Sequence, residues 1–127
     1  PDERAQAIYR LHRAITNEPL YIAGTGSVVS ELNKVTRGAV LAKTGAEGIV
    51  TAALPGEGLG IAVKIADGSS RARSVALLAI LDYLGALSDA EKHQLQAHIA
   101  PTIFNSRGLV VGEIRAAESW LPQRDAC

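Results

Sequence analysis

Between residues 2 and 16 the apolar side chains Ile8, Leu11 and Ile15, with alanines at 5, 7 and 14, recur at a spacing that gathers them on one helical face. That periodicity predicts a helix. It should stop near Asn17-Glu18-Pro19, because Pro19 has no backbone N–H to donate and drives Glu18 out of the helical region. A short apolar stretch, 20–23, leads into the tight loop Gly24-Thr25-Gly26-Ser27. Residues 28–35 read as a short helix ended by Thr36-Arg37-Gly38.

The period then changes. Residues 39–44, 49–54 and 59–66 read as strands, separated by Ala46-Glu47-Gly48 and Pro55-Gly56-Glu57-Gly58. Connections this short favour an antiparallel meander. Asp67-Gly68 closes the third strand, and Ser69 or Ser70 is placed to cap the next helix. That helix, 71–84, is apolar at Val75, Leu77, Leu78, Ile80, Leu81 and Leu84, so it should lie buried across the sheet. Ser88-Asp89-Ala90-Glu91 has the spacing of a capping box and opens a more exposed helix running to about His98. From Ala100 a connector leads to an edge strand, 109–114, interrupted by Gly112. The expected fold class is α+β, an antiparallel three- to four-stranded sheet packed with helices.

Composition narrows the function classes. Thirteen basic and thirteen acidic residues balance, and the basic ones are spread along the chain, so no footprint for nucleic acid is present. No apolar run reaches the roughly 18 residues of a membrane span, and no secretory leader pattern opens the chain. The expected location is the cytoplasm. Cys127 is the one cysteine, which rules out an internal disulfide or a paired-cysteine metal site. His12, His93 and His98 have no acidic or cysteine partner at ligand spacing, so neither a metal nor a cofactor is expected.

The tripeptide Lys43-Thr44-Gly45, at the end of a predicted strand, carries the most chemistry. A Lys-Thr-Gly strand lines the cleft of serine β-lactamases and penicillin-binding proteins. A lysine on a rigid strand holds positive charge near a nucleophile and a substrate carboxylate, Thr44 offers a hydroxyl, and Gly45 leaves room at the strand edge. An exposed strand lysine followed by turn residues would produce the same tripeptide. No S-x-x-K serine motif occurs in the chain, and Ser30-Glu31-Leu32-Asn33-Lys34 is one residue too long for it. Gly24-Thr25-Gly26 reads as a turn or as a loop against a ligand. Glu47 either orients Lys43, binds a substrate amine, or lies in solvent.

Longer stretches carry a resemblance. Residues 42–48 (Ala-Lys-Thr-Gly-Ala-Glu-Gly), 60–68 (Gly-Ile-Ala-Val-Lys-Ile-Ala-Asp-Gly) and the following Arg71-Ala72 resemble the bacterial L-asparaginase II family. Pro19 to Gly26 upstream, Asn105 to Gly108 and Val111 to Arg115 downstream resemble it in the same order, so the likeness covers about residues 4 to 116. It implies hydrolysis of the side-chain amide of L-asparagine, by a lysine-activated serine, on a serine β-lactamase-like fold. Lys43 matches a lysine of that catalytic set, and Thr44, Gly45, Thr25 and Glu47 are the expected substrate-binding residues. The family's serine motif and cysteine-bearing zinc site belong to an N-terminal portion, and Cys127 matches no zinc ligand. Residues 1–127 are therefore expected to form one domain, the C-terminal portion of a longer enzyme, with that N-terminal portion as partner and self-association through an exposed sheet edge. A non-catalytic binding module, or another serine-lysine amidase or peptidase of this fold, are the alternatives the residues leave open.

Overall fold

A computed structural model describes residues 2–121, and the expectation for Cys127 lies outside them. The chain runs α1 (Glu3–Asn17), α2 (Leu20–Ala23), α3 (Val28–Thr36), β1 (Leu41–Thr44), β2 (Ile49–Leu54), β3 (Leu59–Lys64), α4 (Arg73–Tyr83), α5 (Asp89–Gln94), α6 (Gln96–Ile99), β4 (Thr102–Phe104) and β5 (Val110–Glu113). The class is α+β, with one antiparallel sheet in the order β1-β2-β3 and a separate antiparallel pair β4-β5.

The meander follows from the alternation of its residues. Ala42, Val50, Ala52 and Leu54 turn inward and are buried, while Lys43, Ile49 and Thr51 point to the other face and are exposed. Cross-strand partners are Lys43 with Thr51 and Thr51 with Ala62. The inner face meets α4, whose Leu77, Leu78 and Leu81 are fully or almost fully buried, and the far side of the core is closed by Val29 and Leu32 of α3 and by Leu95. Each such side chain contributes about 1.5–3 kcal/mol of transfer free energy.

The helix ends show which polar groups set the boundaries. Asp2 caps α1 by accepting from the Ala5 N–H at 2.7 Å. The expected capping box of α5 is present: the Glu91 N–H donates to Ser88 Oγ and the Ser88 N–H donates to Glu91 Oε2 at 2.7 Å. Ser69 does not cap α4. Its N–H donates to Asp67 Oδ1 at 2.8 Å and its Oγ accepts from Arg71 N–H at 3.2 Å, so it closes the turn after β3, and α4 begins behind Ala72 without a side-chain cap.

Three expectations are refined. The helix placed at 71–84 is Arg73–Tyr83. The single helix after Ser88 is divided at the buried Leu95, whose φ of −93° and ψ of 5° leave the helical region. The connector after Ala100 holds an additional strand, β4, because Asn105 Oδ1 accepts from the N–H groups of Arg107 and Leu109 and folds the segment into a hairpin. The apolar stripe of α1 is the clearest departure from its periodicity: Ile8 and Leu11 remain 57% and 63% exposed. Only the last turns of α1 dock, where His12 Nε2 donates to Gly38 O at 3.1 Å and Thr16 Oγ1 bonds His12 O. No helix among the described residues is long and apolar enough to cross a membrane.

Candidate functional site

Strand β1 is an edge strand, and Lys43 stands on its exposed face. The ammonium donates to the carbonyl of Thr44 at 2.6 Å. Across the strand pair, Thr51 Oγ1 donates to Lys43 O at 3.3 Å. Thr44 is half-buried, and Gly45 N–H continues the ladder to Ile49 O at 2.9 Å. A Cβ on Gly45 would lie 3.3 Å from both Cβ and Cγ2 of Ile49, so the glycine lets the neighbouring strand approach closely.

The turn that follows has a strict backbone requirement. Ile49 N–H donates to Ala46 O at 3.2 Å, and both central residues have positive φ, 53° at Glu47 and 73° at Gly48, the signature of a type I′ hairpin turn. Gly48 is also pressed against the turn after β3. A Cβ there would stand 3.0 Å from Gly68 C and Ile65 Cβ, and Ile65 N–H donates to Gly48 O at 3.1 Å. The Glu47 side chain is in solvent while its carbonyl accepts from Lys64 Nζ.

Three cations thus converge on one turn: Lys43 on the Thr44 carbonyl, Arg73 Nη1 on Gly45 O at 3.3 Å, and Lys64 on Glu47 O. Among the described residues none of the three is ion-paired, and Arg73 Nε is buried without a partner. Carbonyl oxygens accept from these cations without neutralising them, so with the single Glu47 carboxylate in solvent beside them the turn keeps an excess of positive charge that favours an anionic group.

Behind β1, the amide of Asn33, fully buried on α3, brackets Ala42: its Nδ2 donates to Ala42 O at 3.0 Å and its Oδ1 accepts from Ala42 N–H at 2.7 Å. Asn33, Thr51, Lys64 and Arg73 are the residues of this region that sequence reasoning did not single out. Thr51 and Lys64 are visible in the strand alternation, as neighbours on the face of Lys43. Asn33 and Arg73 come from helices, and nothing in the chain order relates them to β1.

Of the residues expected in the site, Lys43, Thr44, Gly45 and Glu47 are brought together on β1 and its turn. Thr25 is exposed on the separate α2–α3 loop, between glycines with φ of 80° and 75°. Ser30 and Lys34 do not form a pair: Ser30 is fully buried with its Oγ unpartnered, and Lys34 faces solvent.

A cleft of about 550 Å³ lies away from β1, lined by Leu78 and Asp82 of α4, Lys92 of α5, Ile99 of α6 and Arg115. Lys92 bridges Asp82 at 3.0 Å and Asp89 at 2.9 Å. Its hydrogen bond and then its charge hold the Asp89 carboxyl below the usual value, and the bonds to Asp89 and Asp82 hold the Lys92 ammonium above its own. The described residues contain no group of three or more His, Cys, Asp or Glu that could hold a metal ion.

The family model described as L-asparaginase II matches residues 1–116, most of the chain. No curated protein matches it.

Proposed function

Because this chain belongs to the L-asparaginase II family, we propose that it contributes the lysine strand to an active site that hydrolyses the side-chain amide of L-asparagine to L-aspartate and ammonia. The observation that carries this reading is the position of Lys43 on the outward face of an edge strand, where among the described residues its ammonium bonds a neighbouring carbonyl and no carboxylate. A strand-held ammonium with one exchangeable partner can reach a serine hydroxyl or a developing oxyanion.

In the proposed reaction the serine oxygen attacks the amide carbon, the tetrahedral intermediate expels ammonia, and water releases aspartate from the acyl-enzyme. Lys43 tunes the protonation of the serine by hydrogen bonding, or stabilises the negative charge as it forms on the attacked oxygen. Thr44 and Gly45 border the substrate at the strand edge, and Thr25 and Glu47 contact its polar ends. The excess of cations over carboxylates at the β1–β2 turn suits the α-carboxylate that asparagine presents.

The nucleophile comes, on this reading, from an N-terminal portion of the enzyme outside these residues. The absence of S-x-x-K from the sequence supports it, as does the separation of buried Ser30 from exposed Lys34. The β1-β2-β3 meander followed by α4 also matches the order in which the serine β-lactamase-like fold ends, and we take residues 1–127 as the C-terminal portion of one such domain.

The test is ammonia release by the protein expressed from the complete reading frame. L-asparagine should release ammonia, and L-glutamine is run beside it because one methylene separates the two by only about 1–3 kcal/mol. A folded protein that leaves both amides intact would end the amidohydrolase reading.

A further inference from the structure

The ladder of β1 alternates. Gly45 N–H points to β2, where Ile49 O accepts it, so Lys43 and Leu41 turn their backbone groups to β2 as well. Val40, Ala42 and Thr44 therefore present N–H and C=O to the outer edge. Among the described residues no strand lies there. At Ala42 and Val40 the edge is closed by side chains of α3 instead.

The amide of Asn33 supplies one donor and one acceptor at the spacing of a backbone peptide, and takes both polar groups of Ala42, at 3.0 and 2.7 Å. Thr36, one turn later on the same helix face, accepts from Val40 N–H at 3.3 Å and reaches Val40 O at 3.1 Å. Asn33 is fully buried and Ala42 is 2% exposed, so water cannot replace these bonds. The next residue after Ala42 is Lys43.

We propose that Asn33 is a positioning residue for Lys43: its side-chain amide acts as a surrogate strand that fixes how far β1 slides along α3, and so fixes where the lysine stands. The proposal rests on the reading of Lys43 as the lysine of the amide-hydrolysing site. Only asparagine fits the requirement. Aspartate would set an acceptor against Ala42 O, leucine would fill the volume and leave both backbone groups unpaired, and glutamine is one methylene too long for the same seat. A slide of the strand by a fraction of a residue leaves the fold standing while moving the ammonium by an ångström or more. Misplacement on that scale lowers turnover roughly 10- to 100-fold.

The experiment compares Asn33→Asp and Asn33→Ala with Leu32→Ala, in the protein expressed from the complete reading frame. Leu32 is the adjacent residue, equally buried, and bonds no part of β1 through its side chain. Both Asn33 variants should lose kcat for ammonia release by 10-fold or more while keeping the circular dichroism spectrum of the unsubstituted protein. Leu32→Ala should lower the melting temperature yet keep kcat within two-fold.

A second readout needs no activity. The ¹³Cε resonance of Lys43, assigned by Lys43→Arg in protein labelled at lysine, should shift in the Asn33 variants and stay in place in Leu32→Ala. Folded Asn33→Asp with unchanged kcat and an unchanged Lys43 resonance would overturn the proposal. So would fast hydrogen exchange at the Ala42 amide of the unsubstituted protein, which judges the clamp even when no Asn33 variant folds. Should the unsubstituted protein release no ammonia, the functional reading falls, and the lysine resonance and the Ala42 exchange alone decide whether the clamp positions Lys43.

Discussion

Substituting Gly48 by alanine tests whether the turn after Lys43 is held by packing or by conformation alone. Two costs apply there. The residue has φ of 73°, a left-handed geometry that costs an L-residue about 1–2 kcal/mol. A Cβ would also stand 3.0 Å from Gly68 C and 3.1 Å from Ser69 O, backbone atoms that a rotamer change cannot move aside. Relieving that overlap means shifting two turns against each other, a strain of about 1–3 kcal/mol for an overpacked site. Together these give about 2–5 kcal/mol.

Two other glycines separate the contributions. Gly58 has φ of 65° with nothing within 4 Å of a Cβ, so its alanine variant meets the conformational cost alone, about 1–2 kcal/mol. Gly56 has neither constraint, and its alanine variant should be neutral or stabilising by up to about 1 kcal/mol. The assay is urea unfolding followed by far-ultraviolet circular dichroism, with the three variants compared at equal denaturant slope. The expected order of stability is Gly56→Ala, then Gly58→Ala, then Gly48→Ala. A Gly48→Ala protein as stable as Gly58→Ala would refute the packing of the two turns.

The core and the surface respond differently to the same deletion: Leu81→Ala, at a fully buried position, should cost about 2–5 kcal/mol, whereas Leu11→Ala, on the exposed stripe of α1, should stay within about 0.5 kcal/mol in thermal unfolding of residues 1–127. Lys92→Met should raise the titration midpoint of the Asp89 carboxyl in a side-chain NMR titration, because the lysine's hydrogen bond and charge hold it down. The sign follows from linkage: a lowered carboxyl stabilises the fold at pH values above its unfolded value, and the contribution is lost as pH falls through the lowered one. Since Asp89 is fully exposed, an unmoved midpoint in Lys92→Met would mean that solvent screens the pair completely.

Most of the sheet was legible because its information is local. Residues 49–54 are a short, nearly continuous apolar run between turn signals and form β2 with those same bounds, and the turn signals Glu47-Gly48 and Gly56-Glu57-Gly58 sit where the strands reverse. The capping box at Ser88 and Glu91 was equally readable, since a helix start is decided within four residues. What escaped the sequence depends on partners far along the chain. The periodicity of α1 implied a buried face, yet burial requires another element over Ile8 and Leu11, and among the described residues none covers them. Strand β4 was missed because Thr102-Ile103-Phe104 is too short for a pattern, and the Asn105 bonds that fold it back are not periodic.

The same division applies to the site. Lys43, Thr44, Gly45 and Glu47 lie within one short stretch of chain, so one tripeptide and its turn placed them together. Asn33 and Arg73 reach β1 from nine residues before Ala42 and twenty-eight residues after Gly45, through contacts that only the packing of α3 and α4 creates. An asparagine in a helix interior gives no sign of what it bonds; its low helix propensity is the one local hint that the side chain is there for another reason.

The measurement that tests the account most directly is ammonia release from L-asparagine by the protein expressed from the complete reading frame, with and without Lys43→Ala. Turnover in the unsubstituted protein, abolished in a Lys43→Ala variant that keeps its circular dichroism spectrum and melting temperature, is the expected result. Turnover that survives the substitution in a folded protein would contradict the assignment of Lys43, and with it the reading of β1 as the strand that serves the reaction.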